Sequence, residues 1–433
     1  MPDTVCSLLA EIADIGSDTQ RGGYTRPVYS TAELDLRSWF LAHAARRGLD
    51  VETDRNGIIW AWSGGVGDGA IVTGSHLDSV PGGGAYDGPL GVASALVAFD
   101  LLAARGVGGR RAIAVFPEEE GSRFGVACLG SRLLTGAISA DRVRALTDSD
   151  GTTFAEASRC AGIDPEHLGA DPERLARIGT FVELHVEQGR ALVDLDRPVA
   201  VASSILGHGR WRLSFSGEGN HAGTTLMADR ADPMVAAAHL VVAVQRSARS
   251  VSGARATVGR IVPVPGGTNV IASRVDLWLD VRHPDDAVTK LLVGQIAEAA
   301  NTAALSEGCG VTMTEESFSA TVDFDSRLRD RLSSALDDAP ILGTGAGHDA
   351  GVLKDHVDTA MLFVRNPTGI SHAPSEAVEN ADAEAGAVAL ADSLQHLIES
   401  ESSESCPLTV DVDALQLTSG DRRNVTSQCG HHA

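Results

Sequence analysis

Residues 70–120 read AIVTGSHLDSVPGGGAYDGPLGVASALVAFDLLAARGVGGRRAIAVFPEEE. An apolar run over 70–74 leads into His76-Leu77-Asp78, and a glycine-rich loop then carries Asp87. A small-residue stretch over 88–104 has the length of a helix. A second apolar run over 111–116 ends in Pro117 and the acids Glu118-Glu119-Glu120. Strand, helix and strand in that order predict an α/β fold with a largely parallel sheet, whose strands deliver polar groups at their carboxyl ends.

The same logic extends along the chain. The run over 179–186 ends in His185-Val186-Glu187-Gln188-Gly189, and a strand over 359–364 precedes Gly369-Ile370-Ser371-His372. His76 and Asp78 fall on one side of an extended chain, so Asp78 is expected to hold the second ring nitrogen of His76. Each piece alone has an ordinary reading. Asp87 between glycines fits a bare turn, three acids in a row are usually a solvated charge run, and a single histidine is more often structural. The apolar strand before the acids argues for a buried end. Together, His76, Asp87, Glu118–Glu120, His185 and His372 suit two divalent cations about 3.5–4 Å apart, with one carboxylate bridging them and another free to move a proton.

Further organisation follows from periodicity. A helix capped by Ser30 or Thr31 is expected over 30–48. Texture changes near His208: strands are expected over 211–216, 256–261, 275–281 and 311–315, with helices over 232–247 and 285–305. This reads as an α+β unit inserted at 208–318 into a larger domain made of 1–207 and 319–398. A helix over 326–336, a glycine-rich loop over 343–347 and a closing helix over 381–398 complete that domain, and 399–433 is expected to be a disordered tail.

The composition, 43% hydrophobic and 21% charged over 433 residues, is that of a globular protein. A net charge of −23 argues against nucleic-acid and anionic-membrane partners. The six cysteines show no CxxC pair, which argues against a disulfide framework or a zinc cluster. The first fifteen or so residues lack a basic segment followed by an apolar core, and the expected location is cytoplasmic.

The segments GSHLDSVPGGGAYDGPLGV, PEEEGSRFG, ELHVEQG, GEGNHAGTT, GGTNVIA, DVRH, GAGHDA and GISHAPSE occur in one order along most of the chain. Together they resemble the amidohydrolases of the M20 metallopeptidase family, in the branch of allantoate amidohydrolase, N-carbamoyl-L-amino-acid hydrolase and β-ureidopropionase. The resemblance implies two divalent metal ions, zinc or manganese with cobalt or nickel also suited. It implies His76 and His185 on one ion, Glu120 and His372 on the other, and Asp87 bridging them. Glu119 is then the general base, taking a proton from the attacking water and passing it to the leaving nitrogen, with Asp78 assisting. Gln188, Asn269, Arg282 and Gly369 are implied to contact a small carboxylate substrate. The insert is implied to be a lid and a homodimer contact that carries His221 to the partner's site as an oxyanion donor. Two departures from the family pattern, His208 where Gln is common and Leu226 where Pro is usual, both fall on the insert.

The activity this implies is hydrolysis of a ureido or carbamoyl C–N bond, in allantoate or an N-carbamoyl-L-amino acid, with release of ammonia and carbon dioxide. A dipeptidase or N-acyl-amino-acid deacylase could use the same metals. A binding protein without catalysis is disfavoured, because every implied ligand and Glu119 are present.

Overall fold

The structure, a computed structural model, describes residues 3–404. In chain order the first domain contributes β1 (Asp50–Thr53), β2 (Ile59–Ser63), β3 (Ala70–His76), β4 (Arg111–Phe116), β5 (Ile178–Val186) and β6 (Val199–Ile205). The insert contributes β7 (Gly207–Ser216), β8 (Asn220–His221), β9 (Arg255–Val264), β10 (Val270–Ile271), β11 (Arg274–His283) and β12 (Gly310–Ser319). The chain then returns with β13 (Val322–Asp323), β14 (Ile341–Thr344) and β15 (Asp358–Val364).

The main sheet has the order β1-β2-β4-β3-β5-β15-β6-β13, with β14 also paired to β6. Its centre, β4-β3-β5-β15, is parallel, while β1, β2, β6 and β13 join antiparallel at the edges. At one edge β1 and β2 pair antiparallel because they are too close in sequence for a parallel crossover.

The two-residue period of the strands divides their side chains between two cores. Ile59, Ile71, Ile113, Val115, Val182 and Leu184 face the helices Thr31–Arg46, Pro89–Ala104 and Asn380–Glu404. Trp60, Trp62, Val72, Ala114, Phe116 and Phe181 face the other side with Leu353 and Met361. Being covered on both faces is why these strands read as continuous apolar runs.

Two expectations change here. The stretch expected as a glycine-rich loop over 343–347 begins as strand, because β14 pairs parallel with β6 through Thr344. The closing helix continues through Glu404, past the start of the expected tail at 399. Gln395 donating to Glu399 at 2.8 Å and Ser400 donating to the His396 carbonyl at 2.7 Å carry it onward, and neither Ser nor Glu breaks a helix. The remainder of that tail, 405–433, lies outside the described residues.

The insert is a four-stranded antiparallel sheet, β12-β7-β11-β9, plus a ribbon of β8 and β10. Helices Pro233–Arg249 and Asp286–Ser306 cover Leu213, Phe215, Leu277 and Val281. Its two connections to the main domain are tied together: Gly207 N donates to Thr321 Oγ1 at 2.9 Å, and Thr321 N donates to Asp286 Oδ1 at 3.0 Å. Among the described residues no helix is long and apolar enough to cross a membrane.

Candidate metal centre

The parallel strands end together, and their carboxyl ends assemble the centre. β3 delivers His76, β4 leads into Glu119 and Glu120, and β5 delivers His185. Asp87 comes from the loop before the helix Pro89–Ala104. Gly88 closes this loop at φ 86, where a Cβ would sit 2.6 Å from the His76 ring, so both conformation and space require glycine. Glu376 Oε1 fixes the loop further by accepting the Tyr86 and Asp87 backbone N–H groups, both at 3.0 Å.

Asp87 divides its carboxylate between two ligand sets. Its Oδ1 lies 3.4 Å from His76 Nε2 and 3.3 Å from His185 Nε2, and its Oδ2 lies 3.5 Å from His372 Nε2. Glu120 Oε2 stands 3.2 Å from His372 Nε2. Each set, His76–Asp87–His185 and Asp87–Glu120–His372, has one atom from each residue within 4.8 Å of the others. Glu119 belongs to neither set, though its Oε2 lies 3.7 Å from His76 Nε2.

The histidines are oriented from behind. His76 Nδ1 meets the Asp78 carbonyl at 2.9 Å, and His185 Nδ1 meets the Val186 carbonyl at 3.0 Å. A carbonyl only accepts, so each Nδ1 carries the proton and each Nε2 points toward Asp87. Both Nε2 atoms, and Glu120 Oε1, are buried without a hydrogen-bond partner. A lone pair facing a carboxylate at this distance needs a positive charge between, and the donor set of imidazole and carboxylate suits divalent metals. The residues fit the group.

The expected hold of Asp78 on His76 is different in detail. The Asp78 carboxylate stands 3.7 Å from His76 Nδ1 and instead accepts the backbone N–H groups of Glu119 and Glu120, both at 3.1 Å. The backbone carbonyl of Asp78 takes the imidazole because it is nearer, and the acidic turn claims the side chain.

Electrostatics point the same way. Burial pushes the Glu119 carboxyl well above its usual range, with His76 opposing and Asp349, Glu120 and Glu183 reinforcing. Burial, helped by Asp87, pushes Glu120 up to about 8. Burial also acts against charged His76, but Glu119, Asp87 and Asp78 outweigh it and raise the imidazole well above its ordinary value, which reflects the pull of these acids on positive charge at Nε2, whether a proton or a metal ion. Asp87 is held well below its usual range, since His185 and His76 outweigh its burial. So many buried acids have too little positive charge beside them, and divalent cations held by these sets would supply it. Glu118 and His372 sit at φ 55 and φ 57, strained positions of the kind that cluster at functional sites.

The other expected residues are distributed between domains. Gln188 Nε2 donates to Asp87 Oδ2 and to Ser371 Oγ, both at 3.0 Å. Gly369 lies in the loop before His372, against the Arg190 stem. His221 and Asn269 are exposed on the insert, brought side by side by the pairing of β8 with β10, where Ala222 N donates to the Asn269 carbonyl at 3.0 Å. Arg282 grips Asp280 through Nε and Nη2 at 2.8 and 3.1 Å and donates from Nη1 to the Gly345 carbonyl at 2.5 Å.

Some neighbours had no assigned contact in sequence. The His348 ring centroid lies 4.4 Å from that of His185, and both its nitrogens are buried without partners. Beneath it, Asp349 accepts from Ser131 Oγ at 2.5 Å, and Glu183 accepts from Ser75 Oγ and the Ala350 N–H. His348 and Asp349 stand out within GAGHDA. Ser131 carries no such signal and becomes visible only through contacts made across the fold, while Glu376 ends the segment GISHAPSE but shows its hold on the Asp87 loop only in the structure.

Residues 72–396 match the family described as peptidase family M20/M25/M40. The chain belongs to that family. It is 32% identical over 401 residues to an N-carbamoyl-L-amino acid amidohydrolase of Geobacillus stearothermophilus, covering 91% of this chain and 98% of that protein. It is 30% identical over 389 residues to an allantoate amidohydrolase of Escherichia coli, covering 88% and 94%. Among solved structures, a hydantoinase/carbamoylase-family amidase from Burkholderia multivorans superposes with a TM-score of 0.80 at 29% identity, covering 90% of this chain and 96% of that one. This M20 chain therefore shares both its fold and its length with amidohydrolases.

Proposed function

We propose that this M20 protein is a di-metal amidohydrolase that hydrolyses the ureido or carbamoyl C–N bond of a small carboxylate, allantoate or an N-carbamoyl-L-amino acid. The observation that carries the reading is the division of Asp87: one carboxylate oxygen faces His76 and His185, the other faces His372 beside Glu120. His76 and His185 would hold one divalent ion, Glu120 and His372 the other, with Asp87 shared. Such ions, zinc or manganese, supply Lewis acidity and lower the pKa of water.

The protein's own groups do the rest. Glu119 is buried beside both sets and free of either, so it takes a proton from the attacking water and returns it to the leaving nitrogen. Asp78 holds the backbone of Glu119 and Glu120, and Gln188 fixes Asp87 from the substrate side. Arg282 and Asn269 take the substrate carboxylate, with Gly369 at the rim. The names of the relatives, which cite N-carbamoyl-L-amino acids and allantoate, support this substrate class.

The insert acts as lid and as dimer contact. Leu226, Met227 and Val242 expose 70%, 77% and 47% of their surface on it, which supports burial against a second copy. In that dimer His221 serves the partner's site as oxyanion donor. A cytoplasmic location is part of this reading and rests on the sequence of the first fifteen or so residues.

The test is turnover by the metal-loaded protein of allantoate, N-carbamoyl-L-amino acids, ureidoglycolate and dipeptides. Release of ammonia from the ureido compounds is expected. Turnover of dipeptides alone would replace this reading with a peptidase.

A further inference from the structure

Beside Gln188 the structure encloses a cavity of about 350 Å³, a size suited to part of a small molecule. Gln188, Arg190, Asp194, Gly345 and Phe363 of the main domain line it, and Arg255 reaches it from the insert. It adjoins the metal centre, because the Gln188 amide that borders it donates to Asp87 Oδ2.

Two arginines line it from opposite sides of the domain boundary. The Arg190 stem packs on Gly369, where an added Cβ would strike it, in the loop that carries His372. Arg255 is the register partner of Arg282 between β9 and β11, and its Nη1 lies 3.6 Å from where a Cβ on Gly345 would sit. Neither guanidinium has an ion-pair or hydrogen-bond partner among the described residues. Of the two acids on the wall, Glu187 uses both oxygens to accept the Ala191 and Leu192 N–H groups at 2.6 and 3.1 Å. The wall thus carries two arginines and two acids, and with Glu187 turned to the backbone only Asp194 is left to answer the two guanidinium groups.

We propose that this cavity is an anion subsite in which Arg190 and Arg255 receive a carboxylate on the substrate's side chain, favouring ureido or carbamoyl substrates that carry a second carboxylate. The substrate part of this inference rests on the reaction proposed above. Guanidinium groups without a partner keep their N–H donors free, and an anion between them would satisfy those donors. Planar guanidinium forks match a carboxylate in geometry as well as charge. Arg282 has two N–H groups left beyond its bonds to Asp280 and Gly345, enough for one carboxylate, so a second needs other donors.

The experiment compares kcat/KM of the full-length, metal-loaded enzyme on N-carbamoyl-L-aspartate and N-carbamoyl-L-alanine. Arg190→Ala and Arg255→Ala should each lower the aspartate-to-alanine ratio about tenfold, mainly through KM, and Arg255→Glu should lower it further. A ratio that stays at the wild-type value in all three variants overturns the subsite. Calorimetric titration with succinate supplies a readout that needs no turnover, and its affinity should fall about tenfold in the same variants. If wild type hydrolyses no ureido compound while succinate binding is lost in the variants, the reaction is wrong and the carboxylate site stands. If turnover is normal and neither ratio nor succinate affinity moves, the subsite is wrong and the reaction stands.

Discussion

Arg282 of the insert donates from Nη1 to the carbonyl oxygen of Gly345 in the main domain, at 2.5 Å. Gly345 begins the short loop that leads to His348 and Asp349, so this bond links the insert to the wall of the metal centre. Asp280 fixes the other edge of the guanidinium and leaves it little freedom to turn.

Arg282→Lys is therefore expected to raise KM about tenfold for every carboxylate substrate, because a lysine keeps the charge but loses the planar fork and one of its two anchors. Steady-state kinetics across the substrate panel check this. An unchanged KM would remove Arg282 from substrate binding.

Glu119→Gln should retain both metals and lose about a thousandfold or more in kcat, since the amide cannot accept a proton. Glu120→Gln should instead lower metal content, because Glu120 faces His372 within a ligand set. Metal analysis alongside kinetics separates the two. Wild-type turnover by the Glu119 variant with metals in place would reject the assignment.

Asp78→Asn tests the acidic turn. Its amide can accept only one of the two backbone N–H groups that Asp78 now holds, and turns a donor toward the other. Both kcat and metal content should fall, kcat by about tenfold or more. Loss of kcat with full metal occupancy would instead mean that Asp78 acts on Glu119 alone.

Removal of metal by a chelator should lower Tm reversibly. Asp87, Glu119 and Glu120 are packed together with little counter-charge, and bound cations stabilise only the folded arrangement. Thermal melts before chelation, after it and after metal is restored give the sign. An unchanged Tm would mean that the cluster is satisfied without cations.

His221→Ala and Glu119→Gln proteins, each nearly inactive, should recover activity when mixed under subunit exchange. If His221 serves the partner's site, the mixed dimer has one site with both residues intact and one with neither. Exchange demonstrated by mass, without recovered activity, would place His221 outside the partner's catalysis.

The sequence by itself determined the α/β scaffold and the identity of the metal-centre candidates. Apolar runs of strand length ending in His76, Glu118–Glu120 and His185 carry their own geometry, because a strand's period and its carboxyl end say where a polar residue emerges. The glycines beside Asp87 fit a bare turn equally well, and what marked it as a candidate was its place between His76 and the acidic run and in the ordered segments. The tertiary structure decided which partner each group takes. The Asp78 carboxylate went to the Glu119 and Glu120 amides rather than to His76, a choice made by the spacing of two strands distant in sequence. Edge strands such as β14 and the last turns of the closing helix were likewise missed, since pairing and packing rather than local pattern set their limits. The same holds for Arg190 and Arg255. Each alone reads as a surface arginine, and only the closing of the insert against the main domain brings both to one cavity.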